Sequence, residues 1–147
     1  MSNTMQITNM NLSDLEQISS NLQIEFDEFW NSNILKNAFQ NPNNIVLVAK
    51  ENEIIVGFSV INIILDEATI ENIVTKKDMR NKHIASNLME EIIKICKEKS
   101  LSSLTLEVNY LNTPAINLYK KFNFQNIGLR KKYYNNTDDA IIMSLIF

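Results

Sequence analysis

The chain has 147 residues, of which 45% are hydrophobic, so it is long enough to bury about 70% of its unfolded surface and is not a disordered polymer. Its formal net charge is −3, which excludes the dense positive surface of nonspecific nucleic-acid binding, and no apolar run reaches the roughly 18 residues of a membrane span. With one cysteine, one histidine and no secretory pattern at the N-terminus, we expect a cytoplasmic, metal-free domain without direct nucleic-acid or membrane contacts.

The first half of the chain predicts the order β-α-α-β-β-β. The stretch "MQITNM" indicates a short strand, and the helix after it has Asn11 or Ser13 as its cap. A second short helix ends at Asn41–Pro42. Two β-branched runs around a turn at Glu51–Asn52 predict a hairpin, and "EATIENIVT" predicts a further strand. The residues expected on one face of that strand are Ala68, Ile70 and Asn72.

The second half adds α-β-α-β-β. Apolar residues recur at helical spacing after residue 84 and predict a long helix; they are Ala85, Leu88, Met89, Ile92, Ile95 and Cys96. A strand, "SLTLEV", follows, and a helix, "TPAINLYKKF", begins with Thr113 as its cap. Two strands end the chain. The expected fold class is α/β (α+β), with a mixed, mostly antiparallel central sheet flanked by helices in one domain over residues 1–147.

The long helix begins directly after a basic turn, "RNKH". A helix N-terminus presents unpaired backbone N–H groups and the positive end of the helix dipole, so it can bind an anion without glycine if the amides point outward. Arg80 and Lys82 add positive charge at the same point. The pattern therefore predicts a pyrophosphate site between Asn81 and Ser86, although a solvated helix cap has the same sequence.

This turn resembles the Q/R-x-x-G-x-G/A loop of GNAT-fold N-acetyltransferases, which cradles the pyrophosphate of acetyl-coenzyme A. Arg80 takes the Q/R position, His83 stands at the first glycine and Ala85 at the permitted alanine. The resemblance implies acetyl-coenzyme A as the co-substrate. The loop residues that it implies are Arg80, Asn81, Lys82, His83, Ile84, Ala85 and Ser86.

Three further segments are similar to the RimI family, the bacterial N-terminal alanine acetyltransferases of a small-subunit ribosomal protein. They are "LDEATIENIV", "LEVNYLNTPAINLYKKFNF" and "LRKKYYNNTDDAIIMSL", and they extend from about Leu65 to Leu145. The first sixty residues match loosely. There Phe29–Trp30–Asn31 stands where the family has Pro-Trp-Ser.

The resemblance implies roles for individual residues. Glu107 takes the position of the general base and Tyr119 that of the general acid. From the residues alone, Glu107 is favoured as a solvated residue on the exposed face of its strand. The corresponding alternative for Tyr119 is a tyrosine packed in the core. Asn112 takes the position of a cofactor-contacting asparagine, which helix capping also explains. The main chain of Ile73, Val74 and Thr75 would bind the pantetheine arm, as an added strand does at a sheet edge.

The expected acceptor site is a groove for the N-terminal peptide of a protein partner, by resemblance a ribosomal one. Residues expected to line it are Trp30, Glu71, Tyr133 and Tyr134. Three alternatives stay open at this point: an acetyltransferase for a small amine such as a polyamine, a coenzyme A-binding module that has lost catalysis, and a structural or partner-binding α/β domain.

Overall fold

The structure is a computed structural model that describes residues 5–27, 30–80, 83–134 and 137–147, with only the backbone given for residues 132–134. Asn81 and Lys82, two residues of the predicted pyrophosphate loop, lie outside the described part. The side chains of Tyr133 and Tyr134 also lie outside it.

The described residues form helices and strands in the predicted order. The strands are β1 (Met5–Asn9), β2 (Asn44–Glu51), β3 (Ile54–Ile64), β4 (Glu67–Thr75), β5 (Ser103–Asn109), β6 (Gln125–Tyr134) and β7 (Asp138–Ile146). The helices are α1 (Leu12–Ser20), α2 (Ser32–Gln40), α3 (Ile84–Glu98) and α4 (Thr113–Lys121). A π-helical turn at Leu22–Phe26 and a 3-10 turn at Lys77–Met79 were not predicted.

All these strands belong to one sheet in the order β1-β2-β3-β4-β5-β7-β6. Neighbouring strands are antiparallel except for β4 and β5, which are parallel and are connected through α3. The mixed, mostly antiparallel sheet flanked by helices is therefore confirmed. None of the described helices is long and apolar enough to cross a membrane.

Two apolar cores lie on opposite faces of the sheet. The first contains the buried stripe of α3 together with Tyr119 of α4 and Leu104, Leu106 and Val108 of β5. The second lies under α1 and α2 and takes its sheet residues from β2, β3 and β4, not from β5, β6 or β7. On that second face, the helices that the structure describes thus leave the β5–β7 half of the sheet uncovered.

Asparagine side chains begin three of the helices. Asn11 and Asp14 form a reciprocal capping box at α1, and Asn31 accepts a hydrogen bond from the Ile34 amide at α2. At α4 the cap is Asn112, whose Oδ1 accepts from the Ala115 amide at 3.2 Å. The prediction of Thr113 as that cap was wrong by one residue. Asparagine and threonine both cap helices well, so the sequence alone did not distinguish between the two positions.

Two details of the strands also differ from the prediction. The hairpin turn lies at Asn52–Glu53, where both residues have positive φ, 52° and 69°, as a tight hairpin turn requires. In β4, Ile70 pairs with Ile61 and Asn72 with Val60, so Glu71 is an extra, bulged residue. The bulge moves Asn72 off the face of Ala68 and Ile70 and onto the α1–α2 side, contrary to the predicted alternation.

Candidate active site

The parallel strands β4 and β5 are joined only over their first halves. Pairing runs from Glu67–Ser103 to Ile70–Leu106, although β4 continues to residue 75 and β5 to residue 109. The bulge at Glu71 lies where the strands separate, and a bulge bends its strand and increases its twist. The ends of the two strands therefore open a cleft, which we call the β4–β5 cleft.

One wall of this cleft is the free edge of β4. Ile73, Val74 and Thr75 pair with β3 on one side, and no strand in the described ranges pairs with them on the other. Backbone N–H and C=O groups on such an edge can bind an extended ligand in the manner of an added strand. This edge is where the sequence predicted the pantetheine contacts.

Helix α3 begins beside the same wall. Its first residue, Ile84, is 1% exposed and lies against Gly57 of β3. A Cβ at position 57 would be 2.7 Å from the Val74 carbonyl oxygen and 2.9 Å from Ile84 Cγ2. The missing side chain thus allows α3 to begin next to the end of β4. The N–H groups of the first turn, at Ile84, Ala85 and Ser86, have no acceptor within the helix, so donors cluster at the end of the cleft.

His83 keeps the backbone conformation of a glycine. It has φ 63° and ψ 19°, in the left-handed region, immediately before α3. Its carbonyl accepts hydrogen bonds from the Asn87 amide at 3.0 Å and from Asn87 Nδ2 at 2.8 Å. Histidine is among the non-glycine residues that tolerate this region best. Its side chain is exposed, as is that of Arg80, which precedes the undescribed pair.

The predicted base, Glu107, lies on the uncovered face of β5, with its side chain 23% exposed. Its Oε1 is 2.9 Å from Nη2 of Arg130 on β6. Leu106 and Val108, its neighbours in the strand, face the other way into the first core. Nothing in the sequence connected Arg130 with Glu107, so this ion pair is a site contact that sequence reasoning missed.

Tyr119, the predicted acid, lies on the other side of β5. It is 7% exposed within the first core, and its ring centroid is 5.9 Å from that of Phe124 at an interplanar angle of 56°. Glu107 and Tyr119 therefore flank β5 from opposite faces. Asn112 caps α4 through its Oδ1, in the connection between β5 and that helix.

The segment between α1 and α2 is tied to β4 at the bulge and to the 3-10 turn that follows β4. Asn72 Nδ2 donates to Asp27 Oδ2 at 2.7 Å, and Lys77 Nζ donates to the Gln23 carbonyl at 2.9 Å. Glu71 is exposed, and its Oε1 accepts from Asn44 Nδ2 at 3.3 Å.

Trp30 is half-buried and packs against the second core. The roles of these residues toward a substrate stay predictions. Asp27 is a residue of this region that sequence reasoning missed. A buried carboxylate indicates a functional or structural role, but the sequence alone does not show that Asp27 is buried.

Within the described residues, no group of three or more His, Cys, Asp or Glu side chains is arranged to hold a metal ion. Cys96 is buried in the first core, and burial raises the pKa of its thiol to about 11. The thiol therefore stays protonated near neutral pH and is unsuited to act as a nucleophile.

Residues 10–124 match the sequence profile of the Acetyltransferase (GNAT) family. This stretch covers most of the chain and contains the β4–β5 cleft and both predicted acid–base residues. The chain belongs to the GNAT acetyltransferase family.

Within that family the resemblance to the RimI enzymes is confirmed. A Bacillus subtilis (strain 168) protein, provisionally named as a [ribosomal protein bS18]-alanine N-acetyltransferase, is 34% identical over 139 residues, which cover 93% of this chain and 92% of that protein. The Escherichia coli (strain K12) [ribosomal protein bS18]-alanine N-acetyltransferase is 36% identical over 92 residues, 60% of this chain and 62% of that protein.

The fold agrees with this relationship over nearly the whole chain. The crystal structure of the ribosomal-protein-S18-alanine N-acetyltransferase from Escherichia coli superposes with a TM-score of 0.89 at 26% identity, covering 97% of this chain and 94% of that one.

Proposed function

We propose that the chain transfers the acetyl group of acetyl-coenzyme A to the N-terminal α-amine of a protein, with the N-terminal alanine of a small-subunit ribosomal protein as the acceptor. The observation that carries the proposal is the β4–β5 cleft itself. The cleft brings together the free edge of β4, the start of α3 and the carboxylate of Glu107 on the uncovered face of β5. A ribosomal acceptor implies action in the cytoplasm.

The residues along the cleft fit coenzyme A. The free edge of β4 offers main-chain partners to the amides of pantetheine through Ile73, Val74 and Thr75. The first-turn N–H groups of α3 suit a pyrophosphate, and Gly57 brings them close to that edge. We assign Arg80 and residues 81–86 to this contact, with Asn112 beside the cofactor near the start of α4.

The chemistry requires a neutral amine and a thiol that can leave. A free α-amino group has a pKa of about 7.7–8.0, so a modest base suffices. Glu107 accepts a proton from the acceptor, directly or through water, as the amine nitrogen bonds to the acetyl carbon. As the carbon–sulfur bond breaks, Tyr119 donates its hydroxyl proton to the sulfur. The products are an N-acetylated chain and free coenzyme A.

Much of the rate enhancement comes from position. Holding the amine against the thioester replaces a bimolecular encounter with an effectively unimolecular step. Glu71 and Trp30, with Tyr133 and Tyr134 at the end of β6, are assigned to the groove that holds the peptide. The link from Asn72 to Asp27 fixes one side of that groove.

One assay tests the function. The protein is mixed with acetyl-coenzyme A and a panel of acceptors, and release of free thiol is followed. We expect turnover with a peptide that begins with alanine and none when its amino end is blocked. Turnover with free polyamines alone would overturn the proposal in favour of a small-amine acetyltransferase. Cofactor binding without turnover on any acceptor would indicate a silent coenzyme A-binding module.

A further inference from the structure

The ion pair between Glu107 and Arg130 joins two strands that are not neighbours. In the sheet, β7 lies between β5 and β6. Glu107 is opposite Ile142, whereas Arg130 is opposite Ala140. Arg130 must therefore reach diagonally across β7 to contact the carboxylate at 2.9 Å.

The side chains along this path leave room for it. The side chain of Ala140 is only a methyl group, so it leaves space for the aliphatic part of the Arg130 side chain. Ala140 is 0% exposed. Asn109 shares the face but uses its amide elsewhere: Nδ2 donates to Asp138 at 3.0 Å, and Oδ1 accepts from the Leu111 amide at 2.9 Å. It therefore does not compete for Glu107.

We propose that Arg130 is a positioning residue for acetyl transfer: it holds Glu107 through Oε1 and leaves Oε2 for the acceptor amine. Among the described side chains, Arg130 is the polar partner that the structure gives Glu107. This inference rests on the proposed function, because it assigns Arg130 a role only through the base.

The choice of arginine fits this role. A guanidinium presents a rigid fork of donors, so it fixes the orientation of a carboxylate better than a flexible ammonium does. A partly exposed ion pair contributes little to folding, so the expected effect of losing it is on catalysis.

The test is a double-mutant cycle on kcat with the alanine-starting peptide. In the wild-type background, Arg130→Met should lower kcat roughly tenfold, less than the 10²–10⁴-fold attributed to a lost base. The KM for acetyl-coenzyme A should stay unchanged, and Arg130→Lys should recover only part of the rate, because it restores the charge without the rigid fork. In the Glu107→Gln background, Arg130→Met should change kcat less than twofold, because no base remains to be positioned.

Lys131→Met is the matched control, since it removes the next cation on the same strand and should leave both parameters unchanged. Thermal unfolding of every variant checks the fold, and Arg130→Gln replaces Arg130→Met if the latter does not fold. Equal losses in both backgrounds, or no loss in the wild-type background, would overturn the role of Arg130 while the proposed function stands. Full activity of Glu107→Gln would overturn this role and the base assignment together.

Discussion

Ile84 and Gly57 are in direct contact, and the contact fixes where α3 begins. A Cβ on residue 57 would lie 2.9 Å from Ile84 Cγ2 and 2.7 Å from the carbonyl oxygen of Val74. The second of these atoms belongs to the backbone that forms the free edge of the cleft. One glycine thus sets the distance between the strand edge that suits pantetheine and the helix start that suits a pyrophosphate.

Gly57→Ala should therefore both destabilise the fold and weaken acetyl-coenzyme A binding. A backbone oxygen at 2.7 Å cannot give way as a flexible side chain does, and overpacking of this kind typically costs about 1–3 kcal/mol. Denaturant unfolding and calorimetric titration with acetyl-coenzyme A measure the two effects. Gly128→Ala is the control, because its Cβ would meet Ile142 Cδ1 at an ordinary 3.5 Å; if both variants lose affinity equally, the contact with Ile84 is not the reason.

His83 provides a second prediction, because its left-handed backbone is costly for residues with a branched Cβ. We expect His83→Gly to change the free energy of unfolding by no more than about 1 kcal/mol, towards stability, and to keep or tighten acetyl-coenzyme A binding. His83→Val should destabilise by about 1–2 kcal/mol and weaken binding.

Ser100 is a control for that pair. It also has positive φ, 55°, but at the C-terminal end of α3. Ser100→Gly should leave acetyl-coenzyme A affinity unchanged in the same titration. Undiminished affinity of His83→Val would contradict the view that the backbone at residue 83 shapes the anion site.

The hydrogen bond from Asn72 to Asp27 predicts an effect confined to the acceptor. Asn72→Ala removes one donor from a carboxylate that is 8% exposed, which should cost about 1–3 kcal/mol of stability. Because the α1–α2 segment then loses a tie to β4, the KM for the peptide should rise while the KM for acetyl-coenzyme A stays constant. Thr69→Ala, at an exposed position on the same strand, should change neither parameter.

The acid and base assignments are tested by isosteric variants. Glu107→Gln should lower kcat by a factor within 10²–10⁴, and Tyr119→Phe by a factor nearer the lower limit, since a thiol of pKa about 8.5 leaves fairly well unaided. Calorimetric affinity for acetyl-coenzyme A should stay within a few-fold in both. Full rates in both variants would show that the roles are wrong even though the family is right.

Cys96 predicts how stability depends on pH. Burial raises the pKa of its thiol from 9.0 to about 11, so between these values the folded state keeps a proton that the unfolded state has lost. This contribution, about 3 kcal/mol, is complete below pH 9 and is lost as pH rises through 11. The difference in unfolding free energy between the wild type and Cys96→Ala should therefore shrink from pH 9 to 11. A constant difference would contradict the burial of the thiol.

The order of elements and the fold class could be predicted because they depend on local patterns. The stripe of α3 has the period of a helix, and the residues of β5 alternate with the period of a strand. The stripe was predicted to start at Ala85, whereas Ile84 is also buried. The spacing of apolar residues predicts which face of α3 is buried. The packing of its first residue, Ile84, depends instead on Gly57, which is distant in the sequence.

The site was less predictable for the same reason. Residues 107 and 130 are far apart in the sequence, and their contact depends on β7 lying between β5 and β6. The alternation of residues in β4 predicted Asn72 on the face of Ile70. This was wrong, because a pattern with a period of two does not reveal the extra residue of a bulge. The resemblance to a family supplied Glu107 and Tyr119 as candidates, which their burial alone would not distinguish from ordinary strand and core residues.

The bulge at Glu71 makes the opening of the sheet depend on a single residue. If Glu71 were deleted, Ile70 and Asn72 would become consecutive and would still pair with Ile61 and Val60, so every later side chain of β4 would keep its face. The added twist would disappear, together with the carboxylate that accepts a hydrogen bond from Asn44. The shortened strand would be free to pair with β5 beyond Leu106. The β4–β5 cleft would then close, although the deletion removes no residue of either apolar core.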